Sequence, residues 1–253
     1  MMNPFDEFSA AALAVVGVAA IVAGLSRGFS GVGGALIFIP LASAAIGPKL
    51  SVPVLLVVDT VLAAGLIPNA WRVGQKPDVF LMAVGALVGV PLGTWLLTQA
   101  DPIVIRWIMA AIVVGMLGVL ISGVRYRGPT AAPILIGVGG LAGFFSGVAQ
   151  IGGPPVLVYW LGRDVPAARV RANIVLYFAL STVLTIVSYL IGGLLTVTVL
   201  VLAVATAPFY GGGLWLGSQM FGFASEVTFR RICYALIVGA AVIGLPVFDG
   251  VIR

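Results

Sequence analysis

The sequence predicts an all-α integral membrane protein of two inverted repeats, each with full transmembrane helices plus a glycine-rich broken or re-entrant helix hairpin. Three observations predict it: a composition that water cannot solvate, a succession of runs as long as a bilayer crossing, and a glycine pattern that occurs twice. Hydrophobic residues make up 61% of the 253 and charged residues 8%, against roughly 45–50% and about 25% in soluble domains. A soluble core of this size cannot hide so much apolar side chain, so lipid must be its solvent.

The elements follow in order. A bilayer-crossing helix needs about 20 predominantly apolar residues. The first half holds apolar runs at 8–26, 31–47, 51–69, 79–98 and 103–123; the second holds them at 131–149, 152–162, 172–191, 194–221 and 232–248. Runs 31–47 and 152–162 are short and open on glycine clusters, which marks them as half-helices or re-entrant arms. Gly85, Gly89 and Gly93 form a small-residue ridge on the fourth run, and Gly213 and Gly217 form another on the ninth. Both read as helix packing. Cys233, in the last run, is the one cysteine and reads as packing too.

The repeat is visible without gaps. Gly24-Leu-Ser-Arg-Gly-Phe-Ser-Gly-Val-Gly-Gly-Ala-Leu lies over Gly143-Phe-Phe-Ser-Gly-Val-Ala-Gln-Ile-Gly-Gly-Pro-Pro with an offset of 119, which pairs Gly24, Gly28, Gly33 and Gly34 with Gly143, Gly147, Gly152 and Gly153. An offset of 124 pairs Gly89, Gly93 and Arg106 with Gly213, Gly217 and Arg230. Two alignments in the same order indicate a duplication, with halves 1–127 and 128–253 forming one transport domain. Each half makes an odd number of crossings, so the second is inverted across the membrane plane, as in many secondary transporters.

Charge sets the orientation. With the N-terminus outside, the cytoplasmic connections hold Arg27, Arg72, Lys76, Arg125, Arg127, Arg163, Arg169, Arg171, Arg230 and Arg231; the outer side holds Lys49, Arg106 and Arg253. Lysine and arginine concentrate in cytoplasmic loops, so both termini are expected outside, in the periplasm of a bacterial inner membrane. No cleavable signal peptide is expected, because Asp6 and Glu7 stand where a basic segment belongs. The spread of bases between apolar runs argues against nucleic acid. Trp71, Trp95, Trp107 and Trp160, with Tyr126, fall near span ends and read as the interfacial aromatic belt.

The chain has no histidine, so it lacks the commonest metal ligand and the commonest general base. No metal, cofactor or enzymatic activity is expected. Gly31-Val-Gly-Gly is not a dinucleotide fingerprint, because no strand precedes it. The two glycine hairpins are the candidate sites. Broken backbone at membrane depth is tolerated only where it is buried or lines a cavity, and a half-helix N-terminus is an anion site. Two of them facing each other would cradle one small oxyanion. The candidate binding residues are Arg27, Ser30, Gly31, Gly33 and Gly34 in the first hairpin, and Ser146, Gln150, Gly152 and Gly153 in the second. Ser26 adds a hydroxyl. Arg27 either faces the cavity as its cation or anchors the cytoplasmic end of the first helix.

Asp59 is the one acid in the middle of a span. Ionisable groups there are functional by default: Asp59 either carries a coupling proton or pairs with a base such as Arg27. Asn173, the matching polar residue of the second half, either binds substrate or caps a helix. A secondary transporter of a small anion accounts for all these features. An anion channel could use the same hairpins without a proton site, and an intramembrane enzyme would lack a base.

The paired glycine motifs, together with Pro40-Leu41, Pro68-Asn-Ala-Trp-Arg, Gly89-Val-Pro-Leu-Gly-Thr-Trp-Leu-Leu and Arg171-Ala-Asn-Ile-Val-Leu-Tyr-Phe, resemble the TauE/SafE sulfite exporter family over nearly the whole chain. Gln150 departs from the pattern, which has glycine before Ile151-Gly-Gly-Pro-Pro. The resemblance implies ATP-independent export of sulfite, or of a small organosulfonate such as sulfoacetate, from the bacterial cytoplasm.

Overall fold

The computed structural model describes residues 8–30, 33–220 and 226–248; of Ser30, residues 226–230 and Phe248 it describes the backbone only. The helices are α1 (Ala10–Ser30), α2 (Gly34–Ile46), α3 (Pro48–Ala63), α4 (Ile67–Val73), α5 (Lys76–Gln99), α6 (Pro102–Ser122), α7 (Ala132–Ala149), α8 (Gly153–Trp160), α9 (Ala167–Ile191), α10 (Val197–Gln219) and α11 (Glu226–Ile243). A 3-10 turn, Ala64–Leu66, continues α3 into α4. Among the described residues seven helical segments are long and apolar enough to cross a membrane, and no strand occurs. Helix α2, with 13 residues, is about 20 Å long, and α8, with 8, about 12 Å. Neither alone reaches across a hydrocarbon core of about 30 Å.

Helix starts follow local chemistry. The Asp101 carboxylate accepts the Ile103 N–H at 2.8 Å at the head of α6, the Thr196 hydroxyl accepts the Val199 N–H at 3.3 Å at the head of α10, and Ser9 does the same for Ala12 at 3.1 Å. Each satisfies a donor that has no intrahelical acceptor.

The chain forms two compact units: residues 1–58, 100–117 and 194–253, and residues 59–99 and 118–193. In the first, α1 packs along α10. Gly24 and Gly28 lie on the backbone of Tyr210 and Leu214, and Gly213 and Gly217 lie on that of Ile21 and Leu25; a Cβ at any of the four would overlap a neighbouring carbonyl. In the second, α5 packs along α7. Gly85, Gly89 and Gly93 meet the Ile136, Gly140 and Phe144 carbonyls, and Gly147 meets that of Val90. Such close approach is what small residues permit, and overpacking costs typically about 1–3 kcal/mol. The glycine ridges therefore pack helices, as their spacing predicts.

The two seams use corresponding positions. Gly28 on Leu214 in one unit is Gly147 on Val90 in the other, and Gly217 on Leu25 is Gly93 on Phe144; the offsets of 119 and 124 relate every member of these pairs.

The structure corrects one reading, that of Trp160, and adds contacts to two others. Trp71, Trp95 and Trp107 are about half exposed, but Trp160 is buried, packed edge-on against Tyr159. It ends the short α8, and its side chain belongs to the hydrophobic core of its unit. Tyr126 is half-buried and stacks on Tyr159, with the Arg163 guanidinium over both rings and donating to the Gly128 carbonyl at 3.0 Å. Arg106, counted above as an outer-side residue, is 4% exposed within α6. Its Nε and Nη2 donate to the Gly244 carbonyl at 3.1 and 2.9 Å. A guanidinium can be buried when its donors are satisfied, and this one ties α6 to the chain just beyond α11. Its repeat mate Arg230 lies outside the residues whose side chains are described.

Candidate functional site

The first hairpin joins α1 to α2. Gly31 and Val32, and the side chain of Ser30, lie outside the described residues. Gly33 is the N-cap of α2 with φ 95°, a left-handed conformation that glycine adopts without strain. Its carbonyl accepts the Ile37 N–H at 3.2 Å, leaving the N–H groups of the first turn without intrahelical acceptors. Three side chains gather round this turn. Ser26 is buried and donates to Cys233 Sγ at 3.4 Å; its oxygen stands 3.1 Å from where a Gly33 Cβ would lie. Arg27, half-buried in the last turn of α1, directs Nη1 at the Tyr210 hydroxyl, 3.4 Å away. Gly34 lets that hydroxyl approach, since a Cβ there would lie 2.5 Å from it and 3.3 Å from Arg27 Cβ. Arg27, Tyr210, Ser26, Gly33 and Gly34 are thus neighbours. Cys233 is buried, in keeping with its packing role.

The second hairpin joins α7 to α8. Gln150 caps α7 with φ 58° and ψ 25°, where an L residue costs about 1–2 kcal/mol. Its N–H donates to the Ser146 carbonyl at 2.9 Å, and its side-chain Nε2 reaches the same carbonyl at 3.0 Å. Ser146 is itself buried, and a Cβ on Gly152 would overlap its hydroxyl and the Ala142 carbonyl. Around Gly153 there is open space. The hairpins differ in donor number. Pro154 and Pro155 follow Gly153 in α8 and have no N–H, so only Gly152 and Gly153 offer backbone donors at its mouth; α2 opens on Gly33-Gly-Ala-Leu and keeps all of its own.

Asp59 lies late in α3, half-buried with one carboxylate oxygen fully covered. Asn173 is fully buried in α9. Its Oδ1 accepts the Gln75 N–H at 2.6 Å and its Nδ2 donates to Gln75 Oε1 at 3.1 Å. Both halves of the amide therefore hold the non-helical link between α4 and α5, which supports the capping alternative over substrate contact.

Sequence reasoning passed over Tyr210 and Tyr189, whose hydroxyls sit on the two hairpins. The Tyr189 hydroxyl donates to the Gly147 carbonyl at 2.8 Å and accepts from Gln150 Nε2 at 3.5 Å. An aromatic inside an apolar run reads as core, and only the packing of α9 and α10 brings these oxygens to the glycine breaks.

No curated protein and no solved structure matches the chain significantly. A family model described as Sulfite exporter TauE/SafE matches residues 16–243, a span that holds both hairpins, both seams, Asp59 and Asn173. Since the match covers nearly the whole chain, the protein belongs to the TauE/SafE sulfite exporter family, whose members are membrane transporters and not enzymes.

Proposed function

We propose that this protein is a secondary transporter that exports sulfite, or a small organosulfonate, from the bacterial cytoplasm across the inner membrane. The observation that carries this reading is the family match over residues 16–243. Within it, the hairpin of each unit receives the anion. Arg27 and the open turn of α2 serve the first, with Ser30 and Gly31 as its further candidate residues; Ser146, Gln150, Gly152 and Gly153 serve the second. Anionic ligands at half-helix N-termini are how several secondary transporters bind substrate. Asp59 carries the coupling proton.

The offsets of 119 and 124, recurring in the residues that pack each seam, support a duplication into halves 1–127 and 128–253 inverted across the membrane. The lysine and arginine bias supports periplasmic termini.

Purified protein in liposomes should move sulfite without ATP, and faster with a pH gradient. Flux unchanged by the gradient would favour the channel reading, and no flux of any sulfur oxyanion or sulfonate would overturn the assignment. Orientation has its own check. In a Cys233→Ser background, cysteine at Asn3 should react with an impermeant thiol reagent from outside, and cysteine at Arg127 should not. The reverse pattern would invert the topology.

A further inference from the structure

Where the offset of 119 pairs the hairpins, Gln150 stands opposite Gly31. The backbone alone would favour glycine there. Among the described residues Gln150 is the one non-glycine residue with positive φ, and side chains enter that region at a cost. A strained residue at a helix break points to a task for its side chain.

The contacts show what the side chain does. Nε2 of Gln150 donates to the Ser146 carbonyl at 3.0 Å and to the Tyr189 hydroxyl at 3.5 Å. Tyr189, fully buried in α9, donates its O–H to the Gly147 carbonyl at 2.8 Å. The Ser146 carbonyl, which already accepts the Gln150 backbone N–H at 2.9 Å, thus anchors the carboxamide, while the Gly147 carbonyl, at the negative end of the α7 dipole, is covered by the Tyr189 hydroxyl. That matters at this hairpin because Pro154 and Pro155 remove two N–H groups from the facing turn of α8. With few donors to attract an anion, a bare Gly147 carbonyl beside them would repel it. The folded-back carboxamide also takes up volume that glycine leaves free.

We propose that Gln150 and Tyr189 form a clasp that makes the second hairpin selective for a compact oxyanion over an alkyl sulfonate. Gln150 is the specificity-determining residue, and Tyr189 is a positioning residue that holds its amide and covers Gly147. The proposal rests on the reading that this hairpin receives the exported anion.

The test is flux in liposomes of purified wild type, Gln150→Gly and Tyr189→Phe, with sulfite and ethanesulfonate as competing substrates. Glycine suits the φ of position 150 and phenylalanine keeps the ring of Tyr189, so both variants should fold; thermal melts check this. Gln150→Gly should shift the sulfonate-to-sulfite flux ratio toward the sulfonate by about tenfold, the usual weight of added bulk in a fitted pocket. Tyr189→Phe should raise the KM for sulfite about fivefold, as for one neutral hydrogen bond, with Vmax nearly unchanged and the flux ratio moved part of the way toward that of Gln150→Gly, since the amide loses one of its two holds. A folded Gln150→Gly protein with the wild-type ratio overturns the clasp while the export reading stands. Wild type that moves neither anion overturns the export reading and the clasp with it.

Discussion

Gly152→Val should abolish sulfite export from a protein that still folds and inserts. A Cβ at this position would overlap the Ser146 hydroxyl and the Ala142 carbonyl, so the first turn of α8 must move away from α7. The N–H groups of Gly152 and Gly153, the only backbone donors left at that mouth by Pro154 and Pro155, move with it. Misplacement by about 1 Å costs a positioned group on the order of a hundredfold in rate. The contact that holds α7 in its unit is the glycine seam with α5, formed by residues 85, 89 and 93, and this variant leaves it intact. Gly33→Val should act in the same direction for a different reason. Its φ of 95° is a genuine outlier for a β-branched residue, and its side chain would press on Ser26. Gly137→Ala, which meets nothing within 4 Å, is the control. Initial rates of sulfite flux, set against gel-filtration profiles, decide the matter. Wild-type rates in both valine variants would remove the hairpins from the mechanism.

How much of this was legible depends on what each signal reports. Glycine spacing reports backbone approach directly, so 85, 89 and 93 located a helix contact before any partner helix was known. Run length located α2 and α8 as short pieces, because helix rise per residue is fixed and the bilayer is thick. Tryptophan frequency at interfaces is a statistical signal, and it failed at Trp160 because that side chain is buried in the hydrophobic core of its unit. Charge counting assigned Arg106 a side of the membrane but not a partner, because nothing in a linear sequence announces the Gly244 carbonyl, 138 residues away, that satisfies it. The same distance in chain hid Tyr210 from Arg27 and Gln75 from Asn173, separated by 183 and 98 residues. Local pattern showed where the backbone breaks; which hydroxyls and amides complete each break is tertiary information.

Asp59→Asn should lose gradient-driven export while keeping downhill exchange of sulfite. Asparagine has nearly the shape of aspartate but no site to bind and release a proton, so it separates the acid's chemistry from its volume. An ionisable group held partly out of water within a span of 26 apolar-rich residues costs free energy that a purely structural position could avoid, and this is the motive for assigning it the coupling proton. The competing account makes the carboxylate an electrostatic strut. Removing one member of a buried charge pair strands the other and destabilises by about 3–5 kcal/mol, so the strut account predicts a much lower melting temperature and loss of both modes of transport together. Two measurements on one preparation therefore divide the readings: accumulation of sulfite against its gradient at an imposed pH difference, and counterflow with no pH difference. Loss of the first with the second retained and an unchanged melt is the expected result. A stable Asp59→Asn protein that still accumulates sulfite in response to the pH gradient would end the proton-carrier assignment, since no other acid was found in the middle of a span.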